Sequence, residues 1–329
     1  MLFRLSGGPL FANVADRRDK GSGGKRMVED GKQRVGFVGV GLMGHGIAKN
    51  LVAKGYPLTV LAHRNRKPVE DLMARGATEA RSAAELAGKS DVIFLCVTGS
   101  PQVEDAMFRA DGLLAGLRPG TIVADCSTAD PTSTLKVAAA VAEKGGRFVD
   151  TPLTRTPKEA EEGRLVVMAG GDAATLDEIR PLLGAFAETV IHAGPVGAGH
   201  KVKLINNFIA LGGAALIAEA VCAAIKVGVD LKALAEVVTG GGGDSVMFRR
   251  FAKYFLEGDD SSLRFVIDNA CKDLRYYTHM AETAPTTAFL AEAAHQTYVM
   301  ASNLGHGDKF VLRLLDALGE INGARLPAR

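Results

Sequence analysis

Short apolar, β-branched runs punctuate the chain from Arg34 onward: "RVGFVGV", "LTVLA", "DVIFLCV", "TIVADC", "RFVD", "RLVVMAG" and "ETVIHAG". Stretches with helical spacing of apolar positions separate them. Strand and helix patterns alternating in this way predict βαβ units and a doubly wound, mainly parallel sheet. After Gly194 the pattern changes to helical periodicity, broken by "TGGGGDS" and "GHGDK", so the second part is expected to be all helix. The change falls in "HAGPVGAGHKVKLINN", where Pro195 and two glycines precede an apolar helix expected from about Gly199 to about Val227. The pattern divides the chain into an extension (1–33), an α/β domain (34–194), a helical domain (195–318) and a tail (319–329).

Length and composition narrow the classes. At 329 residues the chain exceeds what one core usually supports, in keeping with two domains. A hydrophobic fraction of 47%, a charged fraction of 23% and a net charge of +2 suit a globular protein without a nucleic-acid surface. Cys96, Cys126, Cys222 and Cys271 lie far apart in apolar stretches, form no CxxC pair, and fit a reducing cytoplasm. No apolar run is read as reaching the roughly 20 residues that cross a bilayer. The alanine-rich stretch from Ile209 to Ile225 contains Glu219 and reads as a buried helix, so no membrane partner is expected. The extension, with "RRDKGSGGKR", has no apolar period and is expected to be disordered; an upstream stretch before a natural start at Met27 is favoured over a cleavable targeting segment or a tag-like linker. Its "GSGGK" lacks the spacing of a phosphate loop.

Gly39, Gly41 and Gly44 form GxGxxG, with Leu42 and Met43 between them, directly after one apolar run and directly before a helix-like segment. Such glycines permit a tight turn and the close approach of a pyrophosphate to a helix N-terminus. A Rossmann-like dinucleotide domain is therefore expected. The second strand ends in "LAHRNRK", with no acid before Glu70 to hold a ribose 2′-hydroxyl. His63, Arg64, Asn65 and Arg66 would instead suit a 2′-phosphate, which favours NADP(H), with NAD(H) possible. The plainer alternative is a solvated charge cluster at a strand end. His279, His295 and His306 show no metal-ligand spacing, and no metal is expected.

In "GAGHKVKLINNF", Lys203, Asn206 and Asn207 share one side of a helix. A partly desolvated lysine there can exchange a proton with a substrate oxygen. It can equally reach water while the asparagines cap neighbouring turns, and spacing alone does not choose.

Four motifs in order carry a family resemblance: "GFVGVGLMGHGIAKNL", "DTPLTRTPKEAEEGRL", "GAGHKVKLINN" and "KDLRYY". From about Arg34 to Leu318 the chain resembles a β-hydroxyacid dehydrogenase of the 3-hydroxyisobutyrate dehydrogenase type. The resemblance implies a Rossmann-like domain, a helical domain that usually builds dimers or tetramers, and reversible oxidation of a short hydroxy acid with a nicotinamide cofactor. It places the catalytic lysine on Lys203, its partner asparagine on Asn207, and a lysine near the nicotinamide on Lys272, for which an ion pair with Asp268 or Asp273 is the plainer role. It also implies cofactor contacts from Val97, Thr98 and Thr128, and places Asn206 beside the substrate.

The chain departs from the family where most members carry Ser-Gly-Gly after a strand. Here those positions are Thr154, Arg155 and Thr156. An arginine with its forked donor is expected to anchor a strong oxyanion there, and the Arg-Thr pair resembles the sulfolactaldehyde reductase branch. The expected activity is NADPH-preferring reduction of a small anionic aldehyde, of sulfolactaldehyde or semialdehyde type, or the reverse oxidation. The rivals are a 3-hydroxyisobutyrate-like carboxylate dehydrogenase, an imine reductase, and a non-catalytic dinucleotide-binding module. Gly240 to Gly243, with Asp244 and Ser245, read as an interhelical loop more readily than as a lid.

Overall fold

The computed structural model describes residues 31–326, so nearly all of the extension and residues 327–329 lie outside the described residues. The first part runs β1 (Val35–Val38), α1 (Gly44–Ala53), β2 (Leu58–Leu61), α2 (Lys67–Ala74), β3 (Thr78–Ala80), α3 (Ala83–Lys89) and β4 (Val92–Leu95). It continues with α4 (Ser100–Phe108), α5 (Leu113–Gly116), β5 (Ile122–Asp125), α6 (Pro131–Glu143), β6 (Arg147–Asp150) and β7 (Leu153–Thr154). It closes with α7 (Pro157–Glu161), β8 (Leu165–Gly170), α8 (Ala173–Leu183) and β9 (Ala187–Gly194). These strands form one nine-stranded sheet in the order β3-β2-β1-β4-β5-β6-β8-β7, with β9 also paired to β8. Pairing is parallel from β3 through β6, while β8 runs antiparallel to β6 and β7. The order reverses between β1 and β4, which opens a crevice at the carboxyl ends of those strands.

Burial on both faces explains why the central strands read as unbroken apolar runs. Val35, Phe37, Val92, Phe94, Ile122 and Ala124 point into one core with Ile47, Leu51 and Ile179. Their neighbours Val38, Ile93, Leu95 and Val123 point into the other with Leu86, Met107 and Val137. Two strands carried no such signal. The edge strand β3 is only Thr-Glu-Ala with Thr78 exposed, and β7 has two residues.

The helical part comprises α9 (Ala198–Lys226), α10 (Leu231–Thr239), α11 (Val246–Glu257), α12 (Ile267–Thr283), α13 (Phe289–Ala301) and α14 (Leu314–Asn322). α9 is its spine, packed against α11, α12, α13 and α14 around Leu211, Ala218, Phe251, Leu274 and Tyr298. Two expectations are corrected here. Instead of giving way to a tail at residue 319, the chain stays helical to Asn322, where Gly323 (φ 58°) ends α14 and Ala324 is buried. And α9 is not a fully buried helix. It is long and apolar enough to cross a membrane by length and composition, with mean hydropathy 2.2 over an 18-residue window of which 39% is buried. Ile209 and Leu216 are each 70% exposed. The glycine-rich stretch is a connection between α10 and α11, with Ser245 capping α11 at the Phe248 amide (3.0 Å) and Asp244 bound to Arg249.

Candidate active site

The crevice begins at the turn from β1 into α1. Gly39 has φ 98°, and a Cβ added to it would lie 2.3 Å from the Cys96 carbonyl oxygen. A Cβ on Gly44 would lie 2.0 Å from the Gly39 carbonyl oxygen, so both glycines are demanded by the backbone itself. Gly41 differs, because its open side meets nothing within 4 Å. That space, in front of a helix whose first turn carries neither a side-chain cap nor an acid, fits a pyrophosphate. Leu42 projects at the tip, 78% exposed, while Met43 packs back onto the core. Val97 and Thr98 follow β4 and Thr128 follows β5, and the Val97 amide is held by the Ser127 hydroxyl (3.0 Å).

Beyond β2 the four candidate residues separate. His63 and Arg64 are exposed, and among the described residues neither makes a hydrogen bond or ion pair. Asn65 accepts from the Lys67 amide (3.2 Å) at the start of α2. Arg66 is ion-paired: its guanidinium makes two bonds to Glu79 of β3 (3.1 and 2.9 Å), which raise its pKa. The next strand over supplies the acid that the end of β2 lacks.

α9 is hung from the sheet at its first turn. The fully buried Asp150, at the end of β6, accepts from the amides of Gly197 (2.6 Å) and His200 (2.8 Å). Only glycine fits at 199, where a Cβ would lie 2.3 Å from the Met168 carbonyl oxygen and 2.8 Å from Asp150. The buried His200 ring faces the Ser127 carbonyl through Nε2 (3.1 Å), which therefore carries the proton, and meets the Thr134 hydroxyl through Nδ1 (2.7 Å). Asp125 lies beside it at 3.9 Å, and burial pushes that carboxyl up. Asp150 and His200 were not singled out from sequence. Neither belongs to a spacing pattern, and their role depends on strand ends meeting a helix start.

One turn further, Lys203 donates from Nζ to the Leu153 carbonyl (2.7 Å), which ties the helix to the substrate loop. The lysine is half-buried, and desolvation lowers its pKa, opposed in part by Asp273 and reinforced by Lys272. Asn207 is buried and donates from Nδ2 to Asp273 Oδ2 (2.6 Å), while its Oδ1 accepts from the exposed Asn206 (3.3 Å). Lys272 donates to Asp273 Oδ1 (2.6 Å) and to the Thr128 carbonyl (3.3 Å), and lies 4.9 Å from the centre of the Tyr276 ring. The ion pair foreseen for Lys272 is thus present within α12, and it is the Asn207 bond to the same carboxylate that joins α12 to α9. A cavity of about 530 Å³ between α4, α12 and α13 is lined by Thr98, Lys272 and Tyr276 among others, so two of the candidate cofactor residues share one space.

The substrate loop places Arg155 in an ion pair that the sequence did not show. Its φ of 85° lies in the left-handed region, the only such non-glycine value among the described residues. That conformation is one glycine adopts without cost and other residues rarely do. The guanidinium turns onto the sheet, bonding the Glu188 carboxylate (2.6 Å) and the Arg164 carbonyl. Arg155 is therefore an ion-paired loop residue in this structure. Thr156 is also committed: it caps α7, accepting from the Lys158 amide (3.3 Å) and donating to Glu159. Thr154, half-buried beside Leu153, is the one of the two threonines whose hydroxyl makes no hydrogen bond among the described residues.

A dinucleotide crevice with a lysine–asparagine row beside it defines the class, an NAD(P)-dependent dehydrogenase. The sequence model of the NAD binding domain of 6-phosphogluconate dehydrogenase matches residues 34–194, and that of the NAD-binding segment of NADP-dependent 3-hydroxyisobutyrate dehydrogenase matches residues 197–317. An NAD-dependent L-serine dehydrogenase of Pseudomonas aeruginosa is 32% identical over 84% of this chain and 95% of its own length. A Mycobacterium tuberculosis 3-hydroxyisobutyrate dehydrogenase solved with L-serine superposes with TM-score 0.78 at 27% identity, covering 87% of this chain and 99% of that one. A protein named Psf3, solved with NADP+ and 2-OPP, superposes with TM-score 0.74 at 30% identity over 86% of this chain and 99% of its own. The chain belongs to the β-hydroxyacid dehydrogenase family, as a 3-hydroxyisobutyrate dehydrogenase-like enzyme acting on CH–OH donors.

Proposed function

We propose that this enzyme interconverts a small monoanionic hydroxy acid and its aldehyde, with NADP(H) preferred over NAD(H), Lys203 as proton donor and acceptor, and Asn207 as its partner at the substrate oxygen. The observation that carries this reading is the charge at the row. Lys272 is paired with Asp273 and Arg155 with Glu188, whereas among the described residues the Lys203 ammonium forms no ion pair and donates to a carbonyl. A single ammonium outside any direct ion pair favours a carboxylate or sulfonate over a phosphate dianion. Since Arg155 is engaged elsewhere, the sulfonate reading loses its distinguishing residue, and a three- or four-carbon carboxylate is preferred.

The nicotinamide, when bound, supplies the hydride acceptor or donor. Lys203 serves the other half of the reaction: as the amine it takes the hydroxyl proton during oxidation, and as the ammonium it returns that proton to the oxygen during reduction. Burial, by lowering its pKa, makes both forms accessible nearer neutrality. Asn207 has committed one amide hydrogen to Asp273 and keeps the other for the substrate oxygen. Thr154, Asn206 and the backbone around Leu153 are left to hold the acid group. The NADP(H) preference rests on the unpaired Arg64. The exposed apolar stripe of α9 supports a homodimer or homotetramer built through the helical domain, and four free cysteines support a cytoplasmic location.

The test is a panel of carboxylated, sulfonated and phosphorylated three- and four-carbon aldehydes and hydroxy acids, followed by the absorbance of reduced cofactor. Turnover is expected with carboxylates first and phosphates last. Cofactor binding without turnover anywhere in the panel would sink the enzyme reading and leave a dinucleotide-binding module.

A further inference from the structure

We infer that Asp273 is a positioning residue of this site, one that aims the Asn207 amide and sets the charge balance under which Lys203 exchanges its proton; this rests on the role proposed for Lys203. The carboxylate is 2% exposed and its two oxygens have separate employers. Oδ1 receives the Lys272 ammonium and Oδ2 receives the Asn207 amide, both at 2.6 Å. A primary amide can sit in either of two flipped orientations. With Nδ2 fixed on the carboxylate and Oδ1 facing the Asn206 amide, only one orientation leaves no like groups opposed. Asn207 stands one turn from Lys203 on α9, so the orientation chosen by a residue of α12 is delivered beside the proton-transfer group.

The same carboxylate is a charge partner of the lysine. Asp273 and Lys272 are the charged groups that bear on Lys203, with opposite signs. A turn earlier, at the sheet end of α9, Asp150 of β6 accepts from the Gly197 and His200 amides, and the His200 ring is engaged with the Ser127 carbonyl and the Thr134 hydroxyl. No charged side chain of α11, α13 or α14 hydrogen-bonds to this row among the described residues. Asp273 thus neutralises Lys272 and holds Lys203 protonated to higher pH than burial beside a second lysine would allow.

The test follows the titration of Lys203 directly, in protein labelled with carbon-13 at the lysine ε-carbons, the Lys203 signal being assigned by its loss in Lys203→Arg. In Asp273→Asn that titration is expected to move to lower pH, with Asp273→Glu returning it toward its original position. Lys272→Met, which removes the like charge and keeps Asp273, is expected to move it upward. On any substrate the enzyme turns over, Asp273→Asn is expected to lower kcat about tenfold or more and to shift its pH limb in step with the titration, with little change in KM for the cofactor. An unmoved Lys203 titration in folded Asp273→Asn, or a downward shift in Lys272→Met, overturns the proposal. Because the titration needs no turnover, an inactive substrate panel fails the proposed function alone.

Discussion

Individual residues kept or lost their expected roles according to what stood beside them in the fold. Arg155 and Arg66 were both read as anion anchors, and both have an acid as partner, Glu188 and Glu79. Neither acid could be paired with its arginine from sequence, since each lies on another strand more than ten residues away. Arg155→Gly is therefore expected to leave KM for the acid substrate within about twofold. It relieves a left-handed backbone strain of about 1 kcal/mol and offsets this with the added freedom of glycine when unfolded, so stability is expected to change by less than about 1 kcal/mol. A tenfold rise in KM would restore Arg155 as the anchor. Arg64 is the remaining basic candidate: Arg64→Ala is expected to lower the NADPH to NADH ratio of kcat/KM about tenfold, while Arg66→Ala leaves it near the original. The reverse ranking would show that the Glu79 pair opens for the cofactor. Lys203→Ala is expected to lose at least a hundredfold in kcat with cofactor affinity retained, and a near-normal rate would remove it from the proton path.

At the scale of elements, the strands that bury both faces and the glycine turn were legible because their signals are local. The spacing of Lys203 and Asn207 on α9 was equally local. How that helix is fixed was not, because Asp150 arrives from β6 and Asp273 from α12, and no pattern in "RFVD" or "KDL" distinguishes a capping or bridging acid from a surface one. Asp150 takes the place of the cap that α9 lacks, since Gly197 precedes the helix without a side-chain bond. Replacing Asp150 with alanine leaves the amides of Gly197 and His200 buried without partners. The expected cost is about 3 kcal/mol in a denaturant titration, because both bonds were to an ionised group. Lys203 hangs one turn below, so kcat is expected to fall as well. A variant that keeps full stability and full rate would mean that α9 is held by its packing against α11 to α14 and not by this carboxylate.

At the scale of the whole molecule, the exposed side of α9 sets the remaining question. Ile205, Ile209 and Leu216 follow one another at helical spacing, at 45%, 70% and 70% exposure, on a helix whose other side forms the core of its domain. A buried helix was expected from the same residues because hydropathy reports how apolar a segment is and not what covers it. Apolar surface of this extent on a folded chain is characteristic of an interface. A second copy of the chain is the simplest cover, since an apolar stripe on a straight helix is self-complementary about a twofold axis. Ile209→Asp combined with Leu216→Asp places four charges at such an axis in a dimer, without touching the core face of α9. Sedimentation is expected to show the wild type as an even-numbered oligomer and the double variant as a monomer with unchanged helical content. Because Lys203, Asn206 and Ile205 occupy the first turns of the same helix, the monomer is also expected to lose part of its kcat. An oligomer that survives both aspartates would place the contact elsewhere on the helical domain.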